Sequence, residues 1–246
     1  MTSSAEPTRG FASTQWSIVV AARSRHTEAG EAAMAPLCGR YWRPLYSYVR
    51  RRGYSTEDAQ DLTQAYFARL LEKNFLDQAD AGRGKFRSFL LASLKHFLAN
   101  EWDRANAVKR GGRVEFIGIE DVAGVEREYG RQALGPPLTP EQLYERNWAM
   151  TVLSRATDRL AAEFAAAGKP AILEALKVFL TGDNPGVKYG PIAESLGMSE
   201  GAVRVAVHRL RDRFRALLRT EIAQTLPNPA DPRSVDEELR YLLTVL

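Results

Sequence analysis

The segment that decides the fold is residues 189–219, YGPIAESLGMSEGAVRVAVHRLRDRFRALLR. Apolar residues recur at three- and four-residue steps on both sides of Gly197, which predicts two amphipathic helices. A glycine directly after the first of them is typical of a helix that ends in a left-handed turn. Ser199 supplies a side-chain oxygen that caps the start of the second helix. Helix, glycine turn and helix together predict a helix-turn-helix.

The second of these helices presents basic side chains beside its apolar face: Arg204, His208 and Arg211 come early, and Arg215 and Arg219 follow. Donors near the start of an exposed helix suit the edges of bases in a DNA groove, whereas arginines further along suit phosphates. The alternative at this stage is a basic surface helix in an ordinary helical bundle.

The composition is that of a globular protein without disulfides. The chain has 246 residues, 45% of them hydrophobic and 26% charged, a net charge of +4 and a single cysteine, Cys38. This length predicts about two domains. A lone cysteine and the lack of a long apolar run favour a cytoplasmic protein. The N-terminus lacks the pattern of a signal peptide, and we expect residues 1–12 to be disordered.

No group of residues in the sequence has the pattern of a catalytic or metal site. The three histidines, His26, His96 and His208, lack metal-ligand spacing. The segment 82–85, Gly-Arg-Gly-Lys, fails the phosphate-loop pattern because Ala79 stands where its first glycine is needed. We therefore expect no enzymatic activity, no metal and no cofactor, and Cys38 is more consistent with a core position than with a nucleophile.

A helix predicted from Ser55 to about Lys73 has two distinct faces. Ser55 and Asp58 form the pattern of a capping box at its start. The apolar face contains Ala59, Leu62, Tyr66, Phe67, Leu70 and Leu71, and the polar stripe contains Glu57, Gln60, Asp61, Gln64 and Glu72. Such a stripe is usually a solvated surface; the functional alternative is a docking surface for a basic partner.

A second strong helix is predicted from Lys85 to about Val108. Lys95, His96, Asn100 and Arg104 share one face of it, and Trp102 lies nearby. Basic, amide and aromatic side chains together suit unpaired DNA, because base stacking on an aromatic ring contributes about 1–3 kcal/mol per base. The alternative is that Trp102 belongs to the core and the polar residues are solvated.

Strand signals are nearly absent, so the chain is predicted to be all-α, with two helical domains joined by a linker. The first covers residues 13–110, a linker rich in glycine and proline covers 111–138, and a winged-helix-like helix-turn-helix domain covers 139–226. Thr139 and Gln142 form a capping box at the start of the second domain. Residues 227–246 form a C-terminal extension, in which a capping box at Ser234 opens an amphipathic helix.

Four segments, in this order, resemble the extracytoplasmic-function (ECF) sigma factors of bacterial RNA polymerase. They are Tyr41–Tyr46 (YWRPLY), Glu57–Phe67 (EDAQDLTQAYF), Gly84–Leu90 (GKFRSFL) and Ile192–Val203 (IAESLGMSEGAV). Each segment is weak evidence, but their order and spacing are specific. The resemblance identifies residues 13–110 with sigma region 2 and residues 139–226 with sigma region 4.

The resemblance implies a role for each surface in promoter-specific transcription initiation. The helix with Asp58, Asp61 and Gln64 would bind the clamp of the polymerase beta-prime subunit, and the beta flap would hold the second domain. The non-template strand of the minus-ten element would be captured and melted by the first domain, and the helix from Ser199 would read the minus-thirty-five element. The DNA-binding residues on this basis are Lys85, Arg87, Lys95, His96, Asn100, Arg104, Ser199, Arg204, His208, Arg209 and Arg211.

The sequence also departs from the family pattern. Gln60 stands where the docking motif usually has an acid, His96 and Asn100 replace the Asn and Asp common in the strand-reading helix, and the extension lies outside the usual domains. An anti-sigma factor or a regulatory kinase acting on Thr63 would be further partners. The alternative function is a helix-turn-helix repressor or activator that binds duplex operator DNA without polymerase.

Overall fold

The computed structural model describes residues 28–71, 79, 84–107, 122–133, 137–180, 186–226, 228 and 230–246. Every regular element within these ranges is helical, as the sequence predicts. They are α1 (Glu28–Arg51), α2 (Thr56–Leu71), α3 (Phe86–Ala107), α4 (Val122–Ala133), α5 (Pro140–Ala166), α6 (Pro170–Leu176), a 3-10 turn (Lys177–Phe179), α7 (Tyr189–Leu196), α8 (Glu200–Thr225) and α9 (Pro232–Val245). The segment 1–12, predicted to be disordered, lies outside the described residues.

Helix α1 continues through Pro44 without the break that its prolines suggest, and the chain turns at Gly53, where φ is +96°. One face of α1 is buried along α5, with Tyr41, Leu45 and Tyr48 in the core. This packing offsets the local cost of a proline inside a helix.

Helices α2 and α3 pack beside α1 through aromatic contacts. The hydroxyl of Tyr66 donates to the carbonyl of Leu90 at 3.0 Å, and the rings of Tyr41 and Phe86 meet edge to face with centroids 5.5 Å apart. Ser55 caps α2 as predicted, since its Oγ accepts from the backbone N–H of Asp58 at 3.0 Å.

The interval predicted as a linker contains a helix, α4. It is attached to α1 by Glu126, which accepts from the Tyr46 hydroxyl at 2.6 Å and from Arg50 Nε at 2.7 Å. Its glycines, Gly124 and Gly130, concealed this helix in the sequence. The long-range ion pair between Arg50 and Glu126 and the buried side chain of Val125 hold it in place.

The capping signals of the C-terminal half are confirmed at two of three positions. Thr139 and Gln142 form a reciprocal capping box at α5, and Ser199 Oγ accepts from the N–H of Ala202 at 3.2 Å at the start of α8. The capping box predicted at Ser234 is wrong. Asp231 caps α9 instead, because its carboxylate accepts from the N–H groups of Arg233 at 3.1 Å and Ser234 at 3.2 Å.

Helices α7 and α8 form the predicted helix-turn-helix. The turn residue Gly197 has φ +63°, the left-handed conformation that favours glycine. No strand flanks the motif within the described ranges, so the described part of it has no wing.

Helices from both sides of the predicted linker share one hydrophobic core. Leu45 and Val49 of α1 and Tyr144 and Ala149 of α5 belong to the same cluster of buried side chains. The Tyr144 hydroxyl also donates to the carbonyl of Arg87 in α3 at 2.9 Å. The described residues contain no helix that is long and apolar enough to cross a membrane.

Candidate nucleic-acid interface

The first turns of α8 present exposed donors. Arg204, His208 and Arg209 all lie on the surface, and Ser199 sits exposed at the helix start. The Arg204 guanidinium carbon lies 5.6 Å from the centre of the Tyr189 ring, and His208 Nδ1 lies 2.9 Å from an Asp212 carboxylate oxygen. The arrangement suits a helix that inserts its N-terminal half into the major groove.

Arg211 is not among the freely presented donors. Its Nε donates to the carbonyl of Phe179 at 2.8 Å, so the side chain fastens α8 to the 3-10 turn. Further along α8, Arg213 pairs with Glu163 and Arg215 with Asp212. The outward-facing arginines at the start of α8, Arg204 and Arg209, lie within its first three turns.

An apolar groove runs between the end of α5, α6 and the start of α8. Its volume is about 540 Å³. Phe164, Ile172, Met198 and the exposed Val205 line it, and Lys169 lies at its edge. The groove fits the apolar face of a partner segment.

The polar stripe of α2 is only partly exposed. Glu57, Asp58 and Asp61 face solvent, but Gln64, predicted to face outward, is buried. Gln64 lies at the boundary between the polar and apolar faces, where sequence periodicity does not decide orientation. Thr63 is fully buried, and its hydroxyl donates to the carbonyl of Ala59 at 2.7 Å.

The outer face of α3 matches the prediction. Lys95, His96 and Asn100 are exposed, and Trp102 is 64% exposed, which excludes the alternative of a core tryptophan. Arg104 lies in the last part of α3.

A cleft of about 420 Å³ opens beside this face, between α1, α3 and the start of α5. Trp102, Tyr54 and Arg52 line it, together with Lys95 and Glu141, whose Nζ and carboxylate oxygen are 2.7 Å apart. That ion pair raises the pKa of Lys95. Aromatic rings and cations around a cleft of this size suit an unstacked base and its phosphates.

Lys85 and Arg87, predicted to bind DNA, lie in an ion cluster that sequence reasoning missed. We call Lys85, Arg87, Glu145 and Glu238 the Glu238 cluster; Arg87 and Glu238 are 4% and 1% exposed. Glu238 of α9 binds Lys85 through one carboxylate oxygen and Arg87 through the other. Arg87 Nε also donates to Glu145 at 2.9 Å, and the guanidinium carbon lies 3.9 Å from the centre of the Trp148 ring.

Burial alone would lower the pKa of Arg87, but the carboxylates of Glu145 and Glu238 outweigh burial and raise it. The guanidinium of Arg87 is thus charged, enclosed and fully engaged in this arrangement. Arg87 is therefore buried in this arrangement, and its predicted contact with DNA stays a prediction.

The described residues contain no group of three or more His, Cys, Asp or Glu side chains that could hold a metal ion. Burial raises the pKa of the Cys38 thiol to about 11, so the thiol is protonated at neutral pH.

Comparison with known proteins agrees with the resemblance found in the sequence. A family model described as Sigma-70 region 2 matches residues 37–108, the span of most of α1 and all of α2 and α3. The chain is similar to the ECF RNA polymerase sigma factor SigE of Mycolicibacterium smegmatis (strain ATCC 700084 / mc(2)155), with 28% identity over 181 residues, 74% of this chain and 60% of that protein. The matched region thus spans about three fifths of the curated relative. No solved structure matches the chain.

Proposed function

We propose that this chain is an ECF sigma factor, the promoter-recognition subunit of a bacterial RNA polymerase. It binds the core enzyme, captures the minus-ten element as a single strand and reads the minus-thirty-five element as a duplex. The observation that carries the proposal is the combination, in one chain, of a region 2 match over residues 37–108 and a helix-turn-helix with exposed donors. The chain acts by binding and performs no catalysis of its own.

Polymerase docking is assigned to α2. Asp58 and Asp61 are exposed one turn apart, which supports a contact with a basic surface on the beta-prime clamp. Gln64 is buried, so its role is to pack α2 against the core rather than to contact the clamp directly. Because Gln60 is uncharged, this stripe carries one negative charge fewer than it would with an acidic residue at that position.

The minus-ten strand is assigned to α3 and its cleft. Exposed Trp102 offers a face for base stacking, and exposed Lys95, His96 and Asn100 follow the backbone of the strand. Arg104, one turn after Asn100 along α3, is assigned to the same strand. Lys95 forms an ion pair with Glu141. When the strand binds, one of its phosphates replaces the Glu141 carboxylate as the partner of Lys95.

The minus-thirty-five duplex is assigned to the start of α8. Arg204, His208 and Arg209, with Ser199 at the helix start, contact bases and phosphates there. A single bidentate contact discriminates between bases by about 1–3 kcal/mol. The apolar groove beside Val205 receives the beta flap.

The closed packing of α1 on α5 requires the chain to open when it binds both elements. The minus-ten and minus-thirty-five elements are about 25 base pairs apart, which corresponds to roughly 85 Å of duplex at about 3.4 Å per base pair. Helix α5, with 27 residues, is only about 40 Å long. Helices α1–α3 and α5–α8 therefore separate on the polymerase.

An anti-sigma factor or a kinase is a further class of partner for this proposal. Thr63 is enclosed in the core, so phosphorylation there would need local opening of α2. The alternative of a conventional operator-binding regulator is favoured by no observation, because it leaves the region 2 match and the exposed carboxylates of α2 without a role.

The proposal is tested by binding to bacterial core RNA polymerase. We expect tight binding by the wild type and at least tenfold weaker binding by Asp61→Arg, equal to about 1.4 kcal/mol. Asp158→Arg, which makes the same charge change on the exposed surface of α5, is the matched control and binds like the wild type. Equal binding by all three proteins would refute the assignment of α2, and no binding by the wild type would refute the proposal.

A further inference from the structure

Helix α9 holds a carboxylate against the cations at the start of α3. Glu238 is buried, and its two oxygens bind Lys85 and Arg87 separately. The Tyr241 ring, one turn further along α9, covers the same cations, with its centre 5.4 Å from Lys85 Nζ and 5.2 Å from the Arg87 guanidinium carbon. The site is an anion-binding site with an anion from the same chain in it.

While Glu238 is bound, an outside anion cannot reach Arg87, which is buried. Removing one partner of a buried ion pair leaves an uncompensated buried charge, so Glu238 and its cations hold one another in place. The Lys85 side chain is 39% exposed, but a phosphodiester can reach the buried Arg87, and bind both cations together, only after Glu238 has left. Arg87 also binds Glu145 of α5, so the same cluster ties α3 to both α5 and α9.

Helix α9 is attached to the remaining helices through one face. The helix has 14 residues and buries only one side, through Val235, Glu238 and Leu242, while Leu243 is 66% exposed. Besides the Glu238 cluster, an ion pair between Asp236 and Arg219 joins it to α8. A terminal helix with one buried face can leave without unfolding the remaining helices.

We propose that α9 is an intramolecular latch, in which Glu238 occupies the place of a DNA phosphate at Lys85 and Arg87. The docked latch keeps α1–α3 closed on α5–α8; its release exposes the two cations to the single strand and permits the separation of the two groups of helices. This inference rests on the proposed function, because the competing ligand is the phosphate backbone of promoter DNA.

The charge step is tested with Glu238→Gln in the full-length protein and Glu237→Gln as its control. Both variants remove one negative charge from the same helix, but Glu237 is exposed. The probe is fluorescent single-stranded dT20, which presents phosphates without a promoter sequence. We expect Glu238→Gln to bind dT20 about fivefold more tightly than Glu237→Gln at 50 mM NaCl, with a log–log salt slope steeper by about 1.4, or ~0.7 for each cation freed.

The packing step is tested with Leu242→Ala and its control Leu243→Ala, which make the same truncation at buried and exposed neighbours. We expect Leu242→Ala also to bind dT20 more tightly, and Leu243→Ala to match the wild type. This pair decides the inference if Glu238→Gln does not fold, as judged by circular dichroism.

Equal dT20 affinity within the matched pairs would overturn the latch. If the same proteins bound core polymerase, the proposed function would stand without it. Failure of the wild type to bind core polymerase would instead remove the proposed function, so the two failures are distinguishable.

Discussion

Two Glu–Arg clusters join α5 to α8 with the same chemistry and different burial. Glu221 of α8 is 3% exposed and accepts from Arg155 Nε at 2.9 Å and Arg159 Nη1 at 2.8 Å. Glu163 of α5 lies near the surface and accepts from Arg213 Nε at 2.7 Å and Nη2 at 2.5 Å. Glu221→Gln and Glu163→Gln therefore form a matched comparison of a buried and an exposed ion pair.

The structure sets the expected magnitudes. Removing one partner of a buried ion pair costs about 3–5 kcal/mol. The side chains of Arg155 and Arg159 are 39% and 42% exposed, so water recovers part of this cost. We expect Glu221→Gln to lower the free energy of unfolding by about 2–3 kcal/mol and Tm by about 4–12 °C, and Glu163→Gln to cost less than about 1 kcal/mol.

Arg40 of α1 adds to the cost at Glu221. Two of its buried nitrogens, Nε and Nη1, have no hydrogen-bond partner, and Nη2 donates to Gln224 at 3.2 Å. Burial lowers the pKa of Arg40, and the charge of Arg155 lowers it further, whereas Glu221 opposes this effect. Loss of the Glu221 charge removes the carboxylate that binds Arg155 and Arg159 and that opposes the effect of burial on Arg40.

The effect of Glu221→Gln depends on pH. Burial raises the pKa of Glu221, but Arg159 and Arg155 outweigh burial and hold it below its ordinary value. A depressed carboxyl pKa contributes stability above the unfolded pKa of about 4.3, and this contribution is lost as pH falls through the folded pKa. The difference between wild type and variant is thus full at pH 7 and shrinks below about pH 4.

Urea and thermal unfolding at pH 7 and at lower pH measure these differences. If Glu221→Gln destabilises the protein no more than Glu163→Gln at pH 7, burial does not strengthen the Glu221 ion pairs as expected. A difference between wild type and Glu221→Gln that grows as the pH falls would equally contradict the assigned pKa direction.

Three further substitutions give independent checks. Gly197→Ala places a Cβ at φ +63°, and we expect a loss of about 1–2 kcal/mol of stability in thermal unfolding; an unchanged Tm would contradict the left-handed turn. Thr139→Ala removes the capping box of α5 and should cost about 1 kcal/mol, measured by urea unfolding; a cost within error of zero would mean that the cap is replaced. Trp102→Ala should leave Tm unchanged, because the side chain is 64% exposed, and weaken single-strand binding by about 1–3 kcal/mol; a large fall in Tm with unchanged DNA affinity would return Trp102 to a structural role.

The features that could be predicted from the sequence are local ones: turns, helix caps and the exposed faces of helices. Gly197 and Ser199 mark the turn of the helix-turn-helix, and Thr139 marks the start of α5, because a turn or a cap involves residues only a few positions apart. The exposure of Lys95 and His96 followed from helical periodicity in the same way. The comparison with sigma factors agrees with the resemblance found in the sequence.

Long-range contacts could not be predicted from the sequence. Arginine is a residue type typical of DNA contacts, which is why Arg87 was predicted to bind DNA. Its partners in the structure, Glu145 and Glu238, lie 58 and 151 residues away along the sequence. Gln64 lies on the margin of an amphipathic face, where a small rotation changes burial completely. Ser234 lost the capping role to Asp231 because an aspartate followed by Pro232 offers two acceptor oxygens and a residue suited to the first helical position.

Transcription by core polymerase on fragmented genomic DNA tests the central claim most directly. Purified core enzyme with this chain should produce new transcripts that start at discrete sites, each preceded by two short elements at a fixed spacing. Core enzyme alone should not produce them. No new start sites, together with binding of duplex operator DNA by the chain alone, would contradict the account and favour a conventional regulator.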